Sequence, residues 1–481
     1  MDVRNLLRKI KPHLFEIPQG AVPGMRVPAH VYISEVLLDE VKTDRSLEQL
    51  VNVSMLPGVV EHVIAMPDMH EGYGFPIGGV AATELPHGVI SPGGVGYDIN
   101  CGVRLLVADL KFQEIQSRLE ELADRLMKTV PSGTGRGGNL KLGAKDMEEV
   151  LREGAAWCVR KGLGTADDLD RTEERGTMAG ADPAQVSDRA KERGRDQLGT
   201  IGSGNHFLEV QRVDQIFDEE AAKAFGLFAD QAAVMIHCGS RGLGHQVCTD
   251  YVRVMLHNLP HYGFKLPDPE LACAPADSPE GVKYLGAMAA AANFAWANRQ
   301  VIAYRVRTEW VAVFGEDRAL HQLYDVCHNV AKREKYVIGG AERDLLVHRK
   351  GATRAFGPGQ PEIPEVYRPT GQPVMIPGTM GTASYVLCGT AAAMRKTFGT
   401  VCHGAGRRMS RHAAKRQISG ADLRKRLKRQ GILVRCFSDS GLAEEAPLAY
   451  KSVEAVIEVV ENANLATRVA RMKPVAVIKG E

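Results

Sequence analysis

Glycine recurs in short clusters at the ends of apolar segments along the whole chain. The sequence has 50 glycines among 481 residues. The stretch "GGVGYDINCGVRLLV", residues 93–107, is typical, because its glycines surround an Asp and a Cys and lead into an apolar run. Glycine permits tight turns and lets the backbone approach a ligand closely. The pattern therefore predicts many short elements joined by bare loops, some of which lie next to a bound group.

The strand and helix candidates are interspersed without a regular alternation. Short apolar segments bounded by glycine or polar residues predict strands, and they cover residues 59–66, 102–110, 205–213 and 231–237. Helical spacing of apolar residues predicts helices over 113–130 and 282–314. We therefore expect an α+β fold, with central β-sheets surrounded by helices. Residues 164–197 and 262–281 look like insertions within what we expect to be one domain, residues 1–481.

Composition favours a soluble intracellular protein. The net charge of +2 is nearly neutral, and the nine cysteines include no CxxC pair. An odd number of unpaired cysteines predicts a reducing compartment. The N-terminal segment mixes charges into its apolar pattern, unlike a signal peptide, and the longest apolar run, residues 284–297, is too short for a membrane span. We expect a cytoplasmic location and no membrane contact.

Several histidines, one Asp and one Cys stand where apolar segments meet glycine-rich or polar loops. A single histidine in this context is more often a half-buried imidazole bonded to a backbone carbonyl. Four of them, together with a carboxylate and a thiol, favour a metal site, because these groups are the usual ligands of transition metals. Their wide separation in sequence matches no local metal motif. The candidates are Asp98, Cys101, His206, His237, His328 and His403.

Glycine loops and a basic segment point towards phosphate-bearing partners. The loops at 131–139, 199–205, 377–384 and 403–407 expose backbone N–H groups that can cradle phosphates. Neither a GxxxxGK[ST] loop nor a KxDG motif is present in the sequence. Residues 407–430 hold ten Lys or Arg and one acidic residue. Such a run is often only a solvated helix face, but its imbalance beside a glycine loop favours a polyanion such as RNA.

Seven blocks together identify a family. The segments "MPDMHEGYGFPIGG", "GVGYDINCGVR", "GSGNHFLE", "HCGSRGLGH", "HRKGATRA", "PGTMGTASYVL" and "CHGAGR" resemble the RtcB family of RNA-splicing ligases. The resemblance extends from about Met66 to the C-terminal "VIKGE". It implies the family's own α+β fold and a GTP- and Mn²⁺-dependent ligase. Such enzymes join RNA 3′-phosphate or 2′,3′-cyclic phosphate ends to 5′-hydroxyl ends, in tRNA splicing or RNA repair.

The resemblance also implies roles for individual residues. Asp98, Cys101 and His206 would hold one manganese, and Cys101, His237 and His328 a second. His403 would accept GMP before its transfer to RNA as RNA-(3′)pp(5′)G. Ligand softness alone would favour zinc, so manganese rests on the family. The expected guanylate contacts are Asn205, His206, Phe207, Leu208, Glu209, His328, Asn329, Pro377, Gly378, Thr379, Met380, Ser384, His403, Gly404, Ala405, Gly406, Tyr450 and Lys479.

The sequence also suggests residues that contact RNA and two alternative functions. The candidates for contact with RNA or its phosphates are Asp68, Arg241, Lys350 and Arg407, although Asp68 has an equally good explanation as a turn residue. Two other functions fit the same residues: a dinuclear metallophosphoesterase that hydrolyses cyclic phosphates without joining ends, and a non-catalytic RNA-binding protein. Whether an activating partner such as archease is needed is a question that the sequence does not answer.

Overall fold

The computed structural model of the protein describes residues 3–41, 44–133 and 137–480. The centre of the predicted glycine loop at 131–139 and the last residue of "VIKGE" lie outside these ranges. The strands are β1 (Arg8–Lys11), β2 (Leu14–Ile17), β3 (Ala29–Tyr32), β4 (Val63–His70), β5 (Ile77–Glu84), β6 (Val89–Ile90), β7 (Gly102–Lys111), β8 (Phe207–Ile216), β9 (Gln231–Cys238), β10 (Ala274–Pro275), β11 (Leu320–Cys327), β12 (Asn329–Ile338), β13 (Ala341–Lys350), β14 (Ala352–Arg354), β15 (Pro373–Ile376), β16 (Ser384–Gly389), β17 (Thr400–Cys402), β18 (Leu433–Cys436) and β19 (Ala466–Lys479).

Helices cover the sheets, as the predicted α+β class requires. They are α1 (Glu35–Val41), α2 (Ser46–Val53), α3 (Phe112–Ile115), α4 (Leu119–Thr129), α5 (Ala144–Glu153), α6 (Ala155–Arg160), α7 (Ala166–Asp170), α8 (Asp188–Gly194), α9 (Glu219–Phe225), α10 (Arg241–Asn258), α11 (Pro279–Phe314), α12 (Ala391–Lys396), α13 (Arg411–Gln417), α14 (Gly420–Arg429), α15 (Asp439–Glu444) and α16 (Val453–Asn462). None of the helices in the described ranges has the length and apolar character that a bilayer span requires.

Two large sheets organise the chain. One has the order β1-β2-β3-β4-β5-β13-β12, and the other has the order β11-β7-β9-β8-β19-β16-β15 with β18 beside β19. Neighbouring strands are antiparallel except for the β3–β4 and β18–β19 pairs. The pairs β10–β6 and β14–β17 form two small sheets. Because β19 lies inside the second sheet, the C-terminal segment is part of the core.

Helix α11 is the longest buried element. Ser278 caps its first turn by accepting a hydrogen bond from the N–H of Gly281, and Pro279 occupies the first helical position. Its alanine-rich middle is buried, and it contributes to two hydrophobic clusters on either side. The helix ends at Gly315, which adopts a φ of 102°. The apolar run at 284–297 is therefore a buried helical segment, as predicted.

The predicted element boundaries hold with two corrections. The strand predicted at 59–66 begins only at Val63, because Glu61 adopts a left-handed φ of 58° that interrupts the extended backbone. The helix predicted at 113–130 is two helices, α3 and α4, separated by a tighter turn at Gln116–Arg118. Ile115 and Leu119, on either side of this turn, still reach the same cluster.

Candidate active site

Four neighbouring strands of the second sheet bring the predicted metal ligands together where the strands begin or end. Strand β7 begins directly after Cys101, and β8 begins directly after His206. His237 lies at the end of β9, and His328 follows the end of β11. These strands are antiparallel neighbours in the order β11-β7-β9-β8. Residues more than 200 positions apart in sequence therefore meet at the same end of these strands.

The ligands form two groups that share the thiol of Cys101. In the first group, Nε2 of His206 lies 2.8 Å from a carboxylate oxygen of Asp98 and 3.3 Å from Sγ of Cys101. In the second, Nε2 of His237 lies 3.3 Å from the same sulfur and 3.3 Å from Nε2 of His328. Within each group the potential ligand atoms all lie within 4.8 Å of one another. Each group could hold one cation, and the sulfur of Cys101 belongs to both groups.

The protonation states of these residues fit bound cations. Burial, reinforced by neighbouring histidines, lowers the pKa of His237 and His328 well below the usual value, so both imidazoles are neutral. Their facing Nε2 atoms, 3.3 Å apart, both offer lone pairs that could bind a cation. Burial and the Asp98 carboxylate raise the pKa of Cys101 to about 12. A thiolate at this position therefore needs a bound cation to stabilise it.

Two glycines make room for the ligand side chains. A Cβ atom on Gly239 would lie 2.3 Å from the carboxylate of Asp98, and one on Gly202 would lie 2.4 Å from Nδ1 of His206. Both distances are shorter than van der Waals contact. At these two positions a candidate metal ligand lies too close to the backbone for a Cβ atom, so glycine fits best. This close approach explains part of the glycine pattern in the sequence.

Polar residues in the middle of α11 hold the loops of the site. The Asn298 amide accepts hydrogen bonds from the N–H groups of Gly199 and Thr200. Arg299 donates to the carbonyl oxygens of Asn100 (2.7 Å) and Cys238 (2.8 Å). The sequence analysis missed these residues, although three consecutive polar side chains inside a long apolar helix are a signal that could have found them.

His403 stands beside the second ligand group. Its ring lies 5.0 Å from the ring of His328, and its Nδ1 lies 2.6 Å from a carboxylate oxygen of Asp68. The same oxygen accepts hydrogen bonds from the N–H groups of His403 and Gly404. Burial opposes ionisation of Asp68, but His403 keeps the pKa of this carboxyl below its usual value. A carboxylate at Nδ1 favours the tautomer whose Nε2 carries the free lone pair.

A pocket adjoins His403 and contains most of the predicted guanylate contacts. Burial raises the pKa of Glu209 in this pocket to about 7, and the buried Lys479 donates to the carbonyl oxygen of His206. The predicted residues that line the pocket are Asn205, Phe207, Glu209, Pro377, Gly378, Thr379, Met380, His403, Gly404, Ala405, Gly406, Tyr450 and Lys479. The sequence analysis missed five further lining residues, which are His70, Ile77, Arg411, Glu445 and Val477.

The other predicted guanylate contacts lie outside the lining of this pocket. Leu208 points to the opposite face of β8, into a hydrophobic cluster, because side chains alternate along a strand. Ser384 accepts a hydrogen bond from the N–H of Gly378 and so supports the loop from behind. Asn329 donates to the carbonyl oxygen of Asp98. His206 and His328 belong to the ligand groups instead.

The four predicted RNA contacts have other partners in the structure. Asp68 is fully buried against His403, and Lys350 is buried with its ammonium group donating to the carbonyl oxygens of Tyr73 and Phe75. Neither side chain is exposed to solvent, and RNA contact by either residue stays a prediction. Arg241 is half-buried and donates to Thr200 and to the carbonyl oxygen of Gly133. Arg407 lines the pocket and donates to Glu445 and Tyr450.

Known proteins resemble this chain over its whole length. A profile of the family described as RtcB, tRNA-splicing ligase RtcB, matches residues 49–480. The tRNA-splicing ligase RtcB of Thermococcus kodakarensis is 54% identical over 477 residues, which cover 98% of this chain and 99% of that protein. The Archaeoglobus fulgidus protein of the same name is 51% identical and covers 100% of both chains.

A eukaryotic relative matches as well. The RNA-splicing ligase RtcB homolog 1 of Entamoeba histolytica is 47% identical over 481 residues, which cover 96% of this chain and 91% of that protein. Both the family profile and these relatives extend across the two ligand groups, His403 and the adjoining pocket. The chain belongs to the RtcB family of tRNA-splicing ligases.

Proposed function

We propose that this protein is a GTP- and Mn²⁺-dependent RNA ligase that joins RNA 3′-phosphate or 2′,3′-cyclic phosphate ends to 5′-hydroxyl ends. The observation that carries the proposal is the position of His403. Its imidazole lies between the ligand group of His328 and a pocket large enough to be lined by 20 residues. A nucleophile in this position can reach a nucleotide phosphate and pass it to a second substrate.

Two manganese ions would be held by the two ligand groups described above. Asp98, Cys101 and His206 would bind one ion, and Cys101, His237 and His328 the other. Bound divalent cations supply charge neutralisation at phosphoryl oxygens and help to orient the reacting groups. Thiolate and imidazole also suit zinc, so the preference for manganese rests on the family.

His403 is the proposed nucleophile. Its Nε2 lone pair attacks the α-phosphorus of GTP, a P–N bond forms, and pyrophosphate leaves with the electrons of the broken P–O bond. The proton stays on Nδ1, where the carboxylate of Asp68 at 2.6 Å stabilises the positive charge that develops on the ring. Asp68 is therefore a positioning residue that presents the reactive nitrogen.

Two further steps complete the reaction with a 3′-phosphate end, and water must first open a 2′,3′-cyclic phosphate end to the 3′-phosphate. A 3′-phosphate oxygen of the RNA attacks the phosphorus of the His403 adduct, the P–N bond breaks, and RNA-(3′)pp(5′)G forms. The 5′-hydroxyl of the second RNA then attacks the RNA phosphate, loses its proton and displaces GMP. A ring nitrogen is a good leaving group in the second step because Asp68 keeps the departing imidazole in its protonated-Nδ1 form.

The pocket offers complementary groups for guanine. The carboxyl of Glu209 can accept from the base N–H groups, and the ammonium of Lys479 can donate to the guanine carbonyl oxygen. Tyr450 lines the same pocket and provides an aromatic surface. We propose these three residues as the guanine contacts, with the 403–406 loop beside the α-phosphate.

Further proposals concern the domain organisation, the cellular location and the partners of the protein. We propose one catalytic domain over residues 1–481, acting in the cytoplasm on tRNA halves or damaged RNA. The family resemblance is the only basis for archease as an activating partner, and ligation assays with and without archease test it.

The test is sealing of an RNA with a 3′-phosphate to an RNA with a 5′-hydroxyl, in the presence of GTP and Mn²⁺. The wild-type protein should form the joined product, whereas His403→Ala and Cys101→Ala should lose it. His412→Ala, an exposed histidine of α13, and Cys248→Ala, a buried cysteine outside both ligand groups, are matched controls that should retain it. Cleavage of cyclic phosphates without joining would indicate a phosphoesterase and contradict the proposal.

A further inference from the structure

Three aromatic rings form a ladder outside the guanylate pocket. The rings of Tyr73 and Tyr97 meet edge to face with centroids 5.4 Å apart. The ring of Tyr97 stacks on His245 with centroids 4.8 Å apart and an interplanar angle of 30°. Tyr73 and Tyr97 are half-buried, and His245 is exposed. The ladder thus runs from two half-buried rings to an outermost ring that is exposed to solvent.

The middle ring of the ladder is adjacent in sequence to the first ligand group. Tyr97 directly precedes Asp98, and the loop that carries both is fixed by backbone hydrogen bonds from Gly96 to Pro92 and from Asn100 to Asn329. The backbone carbonyl of Tyr73 is held by the buried Lys350. None of the three rings lines the pocket beside His403, within the described chain. The ladder therefore lies outside that pocket, and hydrogen bonds hold the backbone that carries its two inner rings.

Packing of the core does not account for the outermost ring. His245 projects from the second turn of α10 and remains partly exposed although it stacks on Tyr97. Burial and the nearby cation of Arg193 lower the pKa of His245, so its ring is neutral at neutral pH. A neutral ring at the end of a fixed stack, with a cation near it, suits a flat aromatic group that carries phosphate.

We propose that Tyr97 and His245 form a stacking platform for an unpaired base of the RNA substrate, next to the ends that are joined. This inference rests on the proposed RNA ligase function. Proteins that bind single-stranded nucleic acid stack bases on aromatic side chains, and this interaction tolerates any sequence because every base has a π face. A ligase that joins varied RNA ends needs an interaction of this kind.

The test uses RNA strands with the fluorescent base 2-aminopurine at one end. One strand carries it at a 5′-hydroxyl end and the other at the nucleotide bearing a 3′-phosphate. Binding is measured with Mn²⁺ and without GTP, as quenching of the base and as a dissociation constant. We expect quenching by the wild-type protein for at least one strand, and the strand that responds identifies the end that stacks.

Substitutions separate a stacking role from a structural one. His245→Ala should weaken binding of the responsive strand about fivefold or more and restore its fluorescence, in keeping with the removal of one stacked ring. His245→Phe should recover both, because it retains a ring. His257→Ala, an exposed histidine in the last turn of the same helix, is the matched control and should bind like the wild type. Thermal unfolding midpoints show whether each variant is folded.

Several results would overturn the platform. They are quenching of neither strand by the wild type, unchanged affinity and quenching in His245→Ala, or a His245→Phe variant that binds as weakly as His245→Ala. The same wild-type preparation is assayed for the protein–GMP adduct. Adduct formation together with any of these results contradicts only the platform, whereas absence of the adduct contradicts the proposed ligase function itself.

Discussion

The imidazole of His403 has a carboxylate at Nδ1 and the ring of His328 as another neighbour. Asp68 faces Nδ1 at 2.6 Å, and the ring of His328 lies 5.0 Å away on the side of the ligand groups. A fixed ring with its lone pair directed at a nucleotide reacts faster than a free one, because the correct tautomer and orientation are already in place. We therefore expect the carboxylate to affect the rate of adduct formation and not RNA binding.

Replacing this carboxylate tests the role of Asp68. Asp68→Asn retains the shape but removes the charge that favours the proton on Nδ1, so we expect the rate of protein–GMP formation to fall about 10²-fold or more. The rate is measured with GTP labelled at the α-phosphate, and RNA affinity should be unchanged. Asp109→Asn, at an exposed carboxylate, is the control. An undiminished rate in Asp68→Asn would show that the carboxylate does not orient His403.

Removal of the shared sulfur tests the two cation sites. Cys101→Ala deletes the one ligand that both groups have in common, so we expect loss of tight binding at both sites. Electron paramagnetic resonance of free Mn²⁺ should show two bound ions per wild-type chain and fewer than one in the variant. Cys248→Ala should still bind two. If Cys101→Ala also bound two ions tightly, the sulfur would not bridge them.

The sequence alone identified some of these residues and not others. Asp98, Cys101 and the three histidines could be named because the blocks that contain them resemble one family, and the structure brings them together. The pairing of Asp68 with His403 could not, because 335 residues separate them and an Asp before a glycine-rich loop also fits a turn. A contiguous motif does not distinguish the two faces of β8, so it did not show that the side chain of Leu208 lies away from the pocket.

At the scale of elements, helices α13 and α14 extend positive charge from the rim of the pocket. Arg411, at the start of α13, lines the pocket and contacts Glu445. Arg416 and Arg426 are exposed, and within the described ranges neither has a carboxylate partner within 4.0 Å. Unpaired cations beside an active site favour the sugar–phosphate backbone of RNA.

Charge reversal on these helices tests their contribution. The double variant Arg416→Glu, Arg426→Glu should weaken RNA binding. The slope of log affinity against log salt should become shallower by about 0.7 for each phosphate of a single strand that the protein no longer neutralises. Filter binding over a salt series measures both. Lys283→Glu, an exposed lysine of α11, should leave the slope unchanged. An unaltered slope in the double variant would place the RNA elsewhere.

At the scale of the whole molecule, a buried ion cluster joins the core to the site. The carboxylate of Asp325 on β11 accepts hydrogen bonds from Arg104 on β7 and from Arg299 on α11, and all three side chains are fully buried. Arg299 in turn holds the backbone of Asn100 and Cys238 beside the ligand groups. Stability of the fold and geometry of the site therefore depend on the same residues.

Neutralising Asp325 should destabilise the protein. Asp325→Asn leaves two buried guanidinium groups without their anion, which costs about 3–5 kcal/mol in the free energy of unfolding. Burial opposes ionisation of Asp325, but the two arginines keep its pKa below the usual value. Its contribution is therefore complete above the pKa of an unfolded Asp, about 3.9, and is lost as the pH falls through the lower folded pKa.

Urea unfolding at several pH values measures this effect. The difference in stability between the wild type and Asp325→Asn should be large at pH 7 and shrink as the pH falls below about 4. Asp344→Asn, at an exposed position on β13, should show no such difference. A difference that does not depend on pH would mean that the charge of Asp325 is not the cause.

The overall architecture was predictable only in part. The α+β class followed from interspersed strands and helices, and the long helix followed from its apolar run. The joining of β19 to β8 and β16 could not be predicted, because strand partners distant in sequence leave no local pattern. The single-domain organisation over residues 1–481 stays a prediction. Residues 164–197 contribute the buried carboxylates of Asp168 and Glu173 to the interior.

The central claim is that the imidazole of His403 carries GMP. The measurement that tests it most directly is incubation with GTP labelled at the α-phosphate and Mn²⁺, followed by peptide mapping of the labelled protein by mass spectrometry. We predict an acid-labile, base-stable adduct on His403 in the wild type and none in His403→Ala. An adduct on another residue, or one that persists in His403→Ala, would contradict the account.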